Sequence, residues 1–146
     1  MRTAGFVSLV SAALAVLLPF CPSVAAEIDV TDARVPVTER IGADIPLVMR
    51  VTNHAATPDA LLRVRCPFAN FSERQTVDYG EGAPARRAVS SIPVPANGEV
   101  ALTTRSFHIM LLQTREALTD GQVLTCSAAF RNAGTQDIEV RVSAQP

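Results

Sequence analysis

From residue 28 onward, apolar and polar residues alternate in short runs separated by turn residues, and no segment sustains helical spacing for three turns. Ile28 to Val37 reads as a first strand, with Pro36 suggesting an edge position. In Leu47–Thr52, the residues Leu47, Met49 and Val51 share one face, while Arg50 and Thr52 lie on the other. Asn53 to Asp59 is a turn. It leads into Leu61 to Cys66, where Leu62, Val64 and Cys66 oppose Arg63 and Arg65. Tyr79 to Pro84 is a loop by composition. Val89–Val94 and Glu99–Thr103 predict a hairpin around Pro95-Ala96-Asn97-Gly98, followed by a strand at Phe107–Leu112. Thr114 to Gly121 suits a single helical turn, and Val123–Phe130 pairs with Asp137–Val142 across Asn132-Ala133-Gly134. Seven or eight strands at this spacing imply an all-β, antiparallel sandwich or Greek-key barrel.

The start of the chain breaks this pattern. Arg2 is followed by a largely apolar stretch from Phe6 to Phe20, and Val24-Ala25-Ala26 supplies the small residues that a signal peptidase requires. The run is too short, and too soon ended by Pro19 and Pro22, to be a permanent membrane span. Phe20 is too large for the position before a lipidated cysteine, which argues against Cys21 as a lipid anchor. Residues 1–26 are therefore expected to be a cleaved signal peptide and residues 27–146 one domain, exported to the periplasm with no membrane span in the mature form.

The whole chain is 146 residues, 48% hydrophobic and 18% charged, with a net charge of −1. Removing residues 1–26 leaves 12 Arg against 14 acidic residues, a balance that argues against nucleic acid as a partner. All thirteen basic residues are Arg, and only Arg86 and Arg87 are adjacent. The mature chain keeps two cysteines, Cys66 and Cys126, both on apolar strand faces. In an oxidising compartment they are expected to form one disulfide.

Candidate chemistry is confined to Phe107-His108-Ile109-Met110-Leu111-Leu112. On a strand, His108 and Met110 project from one face about 6.5–7 Å apart. The opposite face, Phe107, Ile109 and Leu111, suits the core, which leaves His108 and Met110 looking outward. Imidazole with thioether suits soft Cu(I) better than zinc or magnesium. Ordinary packing explains such a pair equally well. His54 reads as a solvated turn residue and Met49 as core. Glu73, Asp78, Glu81 and Glu116 read as a solvated loop surface. Ser106 near His108 lacks a Gly-rich elbow, and no phosphate-binding motif is present, so no enzyme activity is expected.

The segment from Asp59 to Val142 resembles the periplasmic copper chaperones of the PCuAC type. The matching stretches are Asn53 with Asp59-Ala60-Leu61-Leu62, Ser91 to Gly98, Phe107 to Leu112, Leu118 to Val123, and Phe130 to Val142. The resemblance implies a cupredoxin-like antiparallel β-sandwich that binds Cu(I) and passes it on by ligand exchange. The recipient it implies is a copper-accepting periplasmic or membrane protein, such as an oxidase assembly factor. The family's ligands are a His, a Met eleven positions later, a His twenty-two further on and a Met two beyond that. Those positions are 75, 86, 108 and 110 here. His108 and Met110 carry over as metal ligands, whereas Gln75 and Arg86 stand at the other two. An amide oxygen is a hard donor, and a nearby guanidinium opposes a cation. Two readings follow: a copper-binding chaperone with an incomplete soft site, or a cupredoxin-like interaction or structural module that has lost the metal.

Overall fold

A computed structural model of the chain describes residue 5, residues 15–19 and residues 27–144. The proposed cleavage point after Ala26 and Cys21 lie outside the described residues. Ten strands make up the described domain: β1 (Ile28–Pro36), β2 (Ile45–Asn53), β3 (Asp59–Arg65), β4 (Ala69–Asp78) and β5 (Ala85–Ala88), then β6 (Ile92–Val94), β7 (Gly98–Leu102), β8 (His108–Thr114), β9 (Val123–Phe130) and β10 (Gly134–Ser143). No helix occurs among the described residues, and the fold is all-β as expected.

Strand β2 organises the sandwich because one of its edges serves two partners in turn. Ile45–Leu47 pair with β8, and Met49–Asn53 pair with β7. Its other edge carries β1. The hydrogen-bonded order runs β5-β4-β8-β2-β1-β10-β9-β3-β6, with β7 beside β2. The alternation read in β2 holds, and Leu47, Met49 and Val51 are buried in the core with Ile92, Leu111, Phe130 and Val140.

Several sequence expectations are corrected. Strand β1 is central rather than an edge. It pairs antiparallel with β2 and in parallel with β10, and Pro36 is tolerated because it sits at the strand end, beyond the last β2 partner. In β3 the buried residue is Leu61 rather than Leu62. A register shift between Leu61 and Arg63 opposite β9 inserts one residue and moves the apolar face. Strands β6 and β7 do not form a hairpin with each other: β6 pairs with β3 and β7 with β2. Pro93 and Pro95, two residues apart, withhold amide donors along one edge, which suits a strand that turns away from its successor. Thr114–Gly121 forms no helical turn. Leu118 is buried there and bridges to Thr38 through paired backbone hydrogen bonds of 3.1 and 2.8 Å.

Strands β4 and β5 have no sequence forecast at all. Strand β4 alternates one set of polar residues (Ser72, Arg74, Thr76) with another (Glu73, Gln75), so hydrophobic periodicity is silent there. Strand β5 is exposed at every position.

The Cys66–Cys126 disulfide forms, with Cα atoms 4.4 Å apart. It extends the β3–β9 register by one step beyond Arg65↔Ser127, so it joins neighbouring strands of one sheet. At the other end of β3, Asp59 ties down the β9–β10 turn. Its carboxylate accepts hydrogen bonds from the amides of Ala60 (2.7 Å), Asn132 (2.9 Å) and Ala133 (2.9 Å). Burial alone would raise the Asp59 pKa, but these donors outweigh it and hold the carboxyl below its usual range.

Candidate metal centre

Strand β8 follows a turn at Thr103–Ser106 and enters the sandwich between β4 and β2. Ile109 and Leu111 face the core. His108 and Met110 occupy the opposite face, as their spacing requires, but they are not open to solvent. His108 is 0% exposed and Met110 7%. The expectation that they look outward is corrected here: neighbouring side chains close over this face, which strand alternation alone does not show. Glu73 and Gln75 of β4 lie directly across from Met110 and His108, and Pro46 of β2 lies across from Met110 on the other side.

His108 is held in one tautomer. Its Nδ1 lies 2.9 Å from the Ser106 carbonyl oxygen, which can only accept, so Nδ1 carries the proton. In the neutral ring the lone pair is then on Nε2, which is buried without a hydrogen-bond partner. Gln75, the ladder partner of His108, repeats this arrangement. Its Nε2 donates to Glu73 Oε1 at 3.3 Å, and its Oε1 is buried without a partner. A carboxylate only accepts, so Glu73 fixes the amide with its oxygen as the free end.

The positions 75, 86, 108 and 110 share one sheet face. Gln75 pairs with His108 across β4 and β8, and Arg86 of β5 pairs with Val77, two residues along β4 from Gln75. Arg86 is exposed on an edge strand, where solvent screens its charge. Glu73 is the residue that sequence reasoning placed wrongly. Together with Asp78, it belongs to β4 rather than to a loop.

Other candidates lie elsewhere. His54 is exposed and paired with Asp29 at 2.7 Å, and Met49 is core at 3% exposure. The Ser106 hydroxyl pairs with Thr103 Oγ1 at 3.0 Å, while His108 meets only the Ser106 carbonyl, so the two do not form a nucleophile–base pair. Among the described residues no three His, Cys, Asp or Glu side chains converge on one point, so a metal at this face needs the thioether or the amide as a donor. A groove of about 820 Å³ beside the disulfide, between Arg65, Phe71 and Ser127, contains none of the four positions.

Comparison with known proteins gives the family and the fold. Residues 28–142 match the family described as "Putative lipoprotein LpqE-like", and the chain belongs to that family. The fold is that of the PCuAC domains. The copper-bound PCuAC domain from PmoF2 superposes with a TM-score of 0.68 at 19% identity, covering 81% of this chain and 93% of that one. The apo PCuAC domain from PmoF1 gives 0.68 at 18% identity, over 81% and 94% of the two chains. The Cu(I) form of DR1885 from Deinococcus radiodurans gives 0.62 at 21% identity, over 80% and 79%. No curated protein sequence matches the chain. Among the described residues no helix is long and apolar enough to cross a membrane.

Proposed function

We propose that this chain is an exported copper-binding protein that holds Cu(I) at His108 and Met110 and passes it on by ligand exchange. Residues 1–26 direct export to the periplasm, and residues 27–146 form the copper domain. The observation that carries this reading is the orphaned Nε2 of a fully buried His108, beside Met110 on the same face. Its Nδ1 lies against the Ser106 carbonyl, which leaves Nε2 as the ring nitrogen that would meet a metal. Relatives of the same fold that carry copper, PmoF2 and DR1885, support the choice of metal.

The chemistry follows from the donors. A thioether and an imidazole suit Cu(I), and the set is incomplete because Gln75 and Arg86 replace two soft ligands. A site that leaves coordination positions open admits an incoming ligand from a partner, and the ion then moves to the better-coordinated acceptor. The partner class is a copper-accepting protein of the same compartment. The rival reading, a metal-free interaction module, draws on one observation: Arg86 and Arg87 stand exposed on an edge strand.

Competition of residues 27–146 against a Cu(I) chelator separates the two readings. The expected dissociation constant is about 1 μM or tighter, weakened at least about 100-fold in His108→Ala and in the near-isosteric Met110→Leu. Weaker binding that neither substitution changes would sink the copper reading.

A further inference from the structure

Two hydrogen-bond acceptors on directly paired residues, both buried and both without a donor, form an unusual arrangement. Gln75 Oε1 and His108 Nε2 meet this description across β4 and β8. Ladder partners carry their Cβ atoms about 4.5–5.5 Å apart on one face, so the two side chains are neighbours on that face. Buried polar atoms in folded proteins are nearly always satisfied. Two lone pairs together call for a positive group between them, and the described residues supply none there: Arg86 stands exposed on the edge strand.

We infer that Gln75 Oε1 is a metal donor, and that with His108 Nε2 it makes the site competent for Cu(II) as well as Cu(I). This rests on the copper reading above and specifies the ion. An amide oxygen with an imidazole nitrogen is an O,N donor pair, which favours the harder, oxidised ion, whereas the Met110 thioether favours the reduced one. One face therefore carries a hard donor across the ladder from the imidazole and a soft donor two residues along its own strand. Glu73 is a positioning residue. By accepting from Gln75 Nε2 at 3.3 Å, it keeps the amide oxygen turned to the free end.

Cu(II) binding by residues 27–146 can be followed by electron paramagnetic resonance and by competition with glycine, alongside the Cu(I) competition. Gln75→Leu is expected to weaken Cu(II) at least tenfold while moving Cu(I) less than threefold, and Met110→Leu to do the reverse. Glu73→Leu should share part of the Gln75→Leu loss, and Glu73→Gln, which keeps an acceptor for the amide, should restore it. The nitrogen superhyperfine coupling of Cu(II) should persist in Gln75→Leu and vanish in His108→Ala. Cu(II) affinity that depends on His108 but not on Gln75 would overturn this inference and leave the copper reading standing. Affinity for both ions that is indifferent to His108 would overturn the copper reading itself. Circular dichroism of each variant identifies any that fail to fold, and Gln75→Ala then replaces Gln75→Leu.

Discussion

Gln75 and His108 are cross-strand partners on β4 and β8, and each ends in a buried polar atom that nothing in the described chain satisfies. Each such atom costs about 1–3 kcal/mol of stability. A ligand that satisfies both therefore binds the folded state selectively and stabilises it. At a free copper concentration of a hundred times the dissociation constant, the gain is about 2.7 kcal/mol, or roughly 10 °C in melting temperature for a domain of this size. Calorimetry of residues 27–146 with and without copper should show that rise, and His108→Ala should lose it.

Gln75→His with Arg86→Met restores soft donors at two positions that already share the His108 face. Cu(I) affinity should increase at least about 100-fold, since each well-placed ligand contributes more than the tenfold to hundredfold effect of an outer partner. A chelator competition that finds no gain would mean that this face lacks the geometry of a four-ligand soft site.

The parts of this face differ in how much of them sequence pattern could reveal. Strand β8 was legible because Ile109 and Leu111 are apolar and alternate with His108 and Met110. Their burial was not, because alternation says which face a residue takes but not what covers that face. Strand β4 was illegible because Ser72 to Thr76 are polar on both faces, and Glu73 and Gln75 went with it. The spacing to position 75 located Gln75 without showing the strand beneath it. The disulfide was legible from the cysteine number, the apolar faces of Cys66 and Cys126 and the expected export, whereas the β3 register shift that buries Leu61 leaves no local mark.

The Cys66–Cys126 bond closes a separation of 60 residues. In the chain-entropy account it stabilises the fold by about 4 kcal/mol. The double substitution to alanine should lower the urea midpoint accordingly, with far-ultraviolet circular dichroism unchanged at low urea. A loss below about 1 kcal/mol would place the bond outside the structural role assigned to it.

Asp59 gives the fold an acid-sensitive joint. Its folded pKa lies below the usual aspartate range, so the folded state favours the ionised form. That stability is fully present above the unfolded value and is lost as pH falls through the folded one. Asp59→Asn should cost about 1.5–3 kcal/mol near neutral pH, because three backbone amides lose a charged acceptor. The difference between variant and parent should shrink below pH 4. Urea unfolding from pH 3 to pH 7 measures both, and a pH-independent difference would contradict the assignment.

The most direct measurement of the copper site is a Cu(I) titration of isotope-labelled residues 27–146, followed at the His108 ring nitrogens and the Met110 methyl group. The account predicts that His108 Nε2 and the Met110 methyl shift together and saturate at one equivalent, with Nδ1 still protonated against the Ser106 carbonyl. Shifts confined to the exposed His54–Asp29 pair, with His108 and Met110 unmoved, would contradict it.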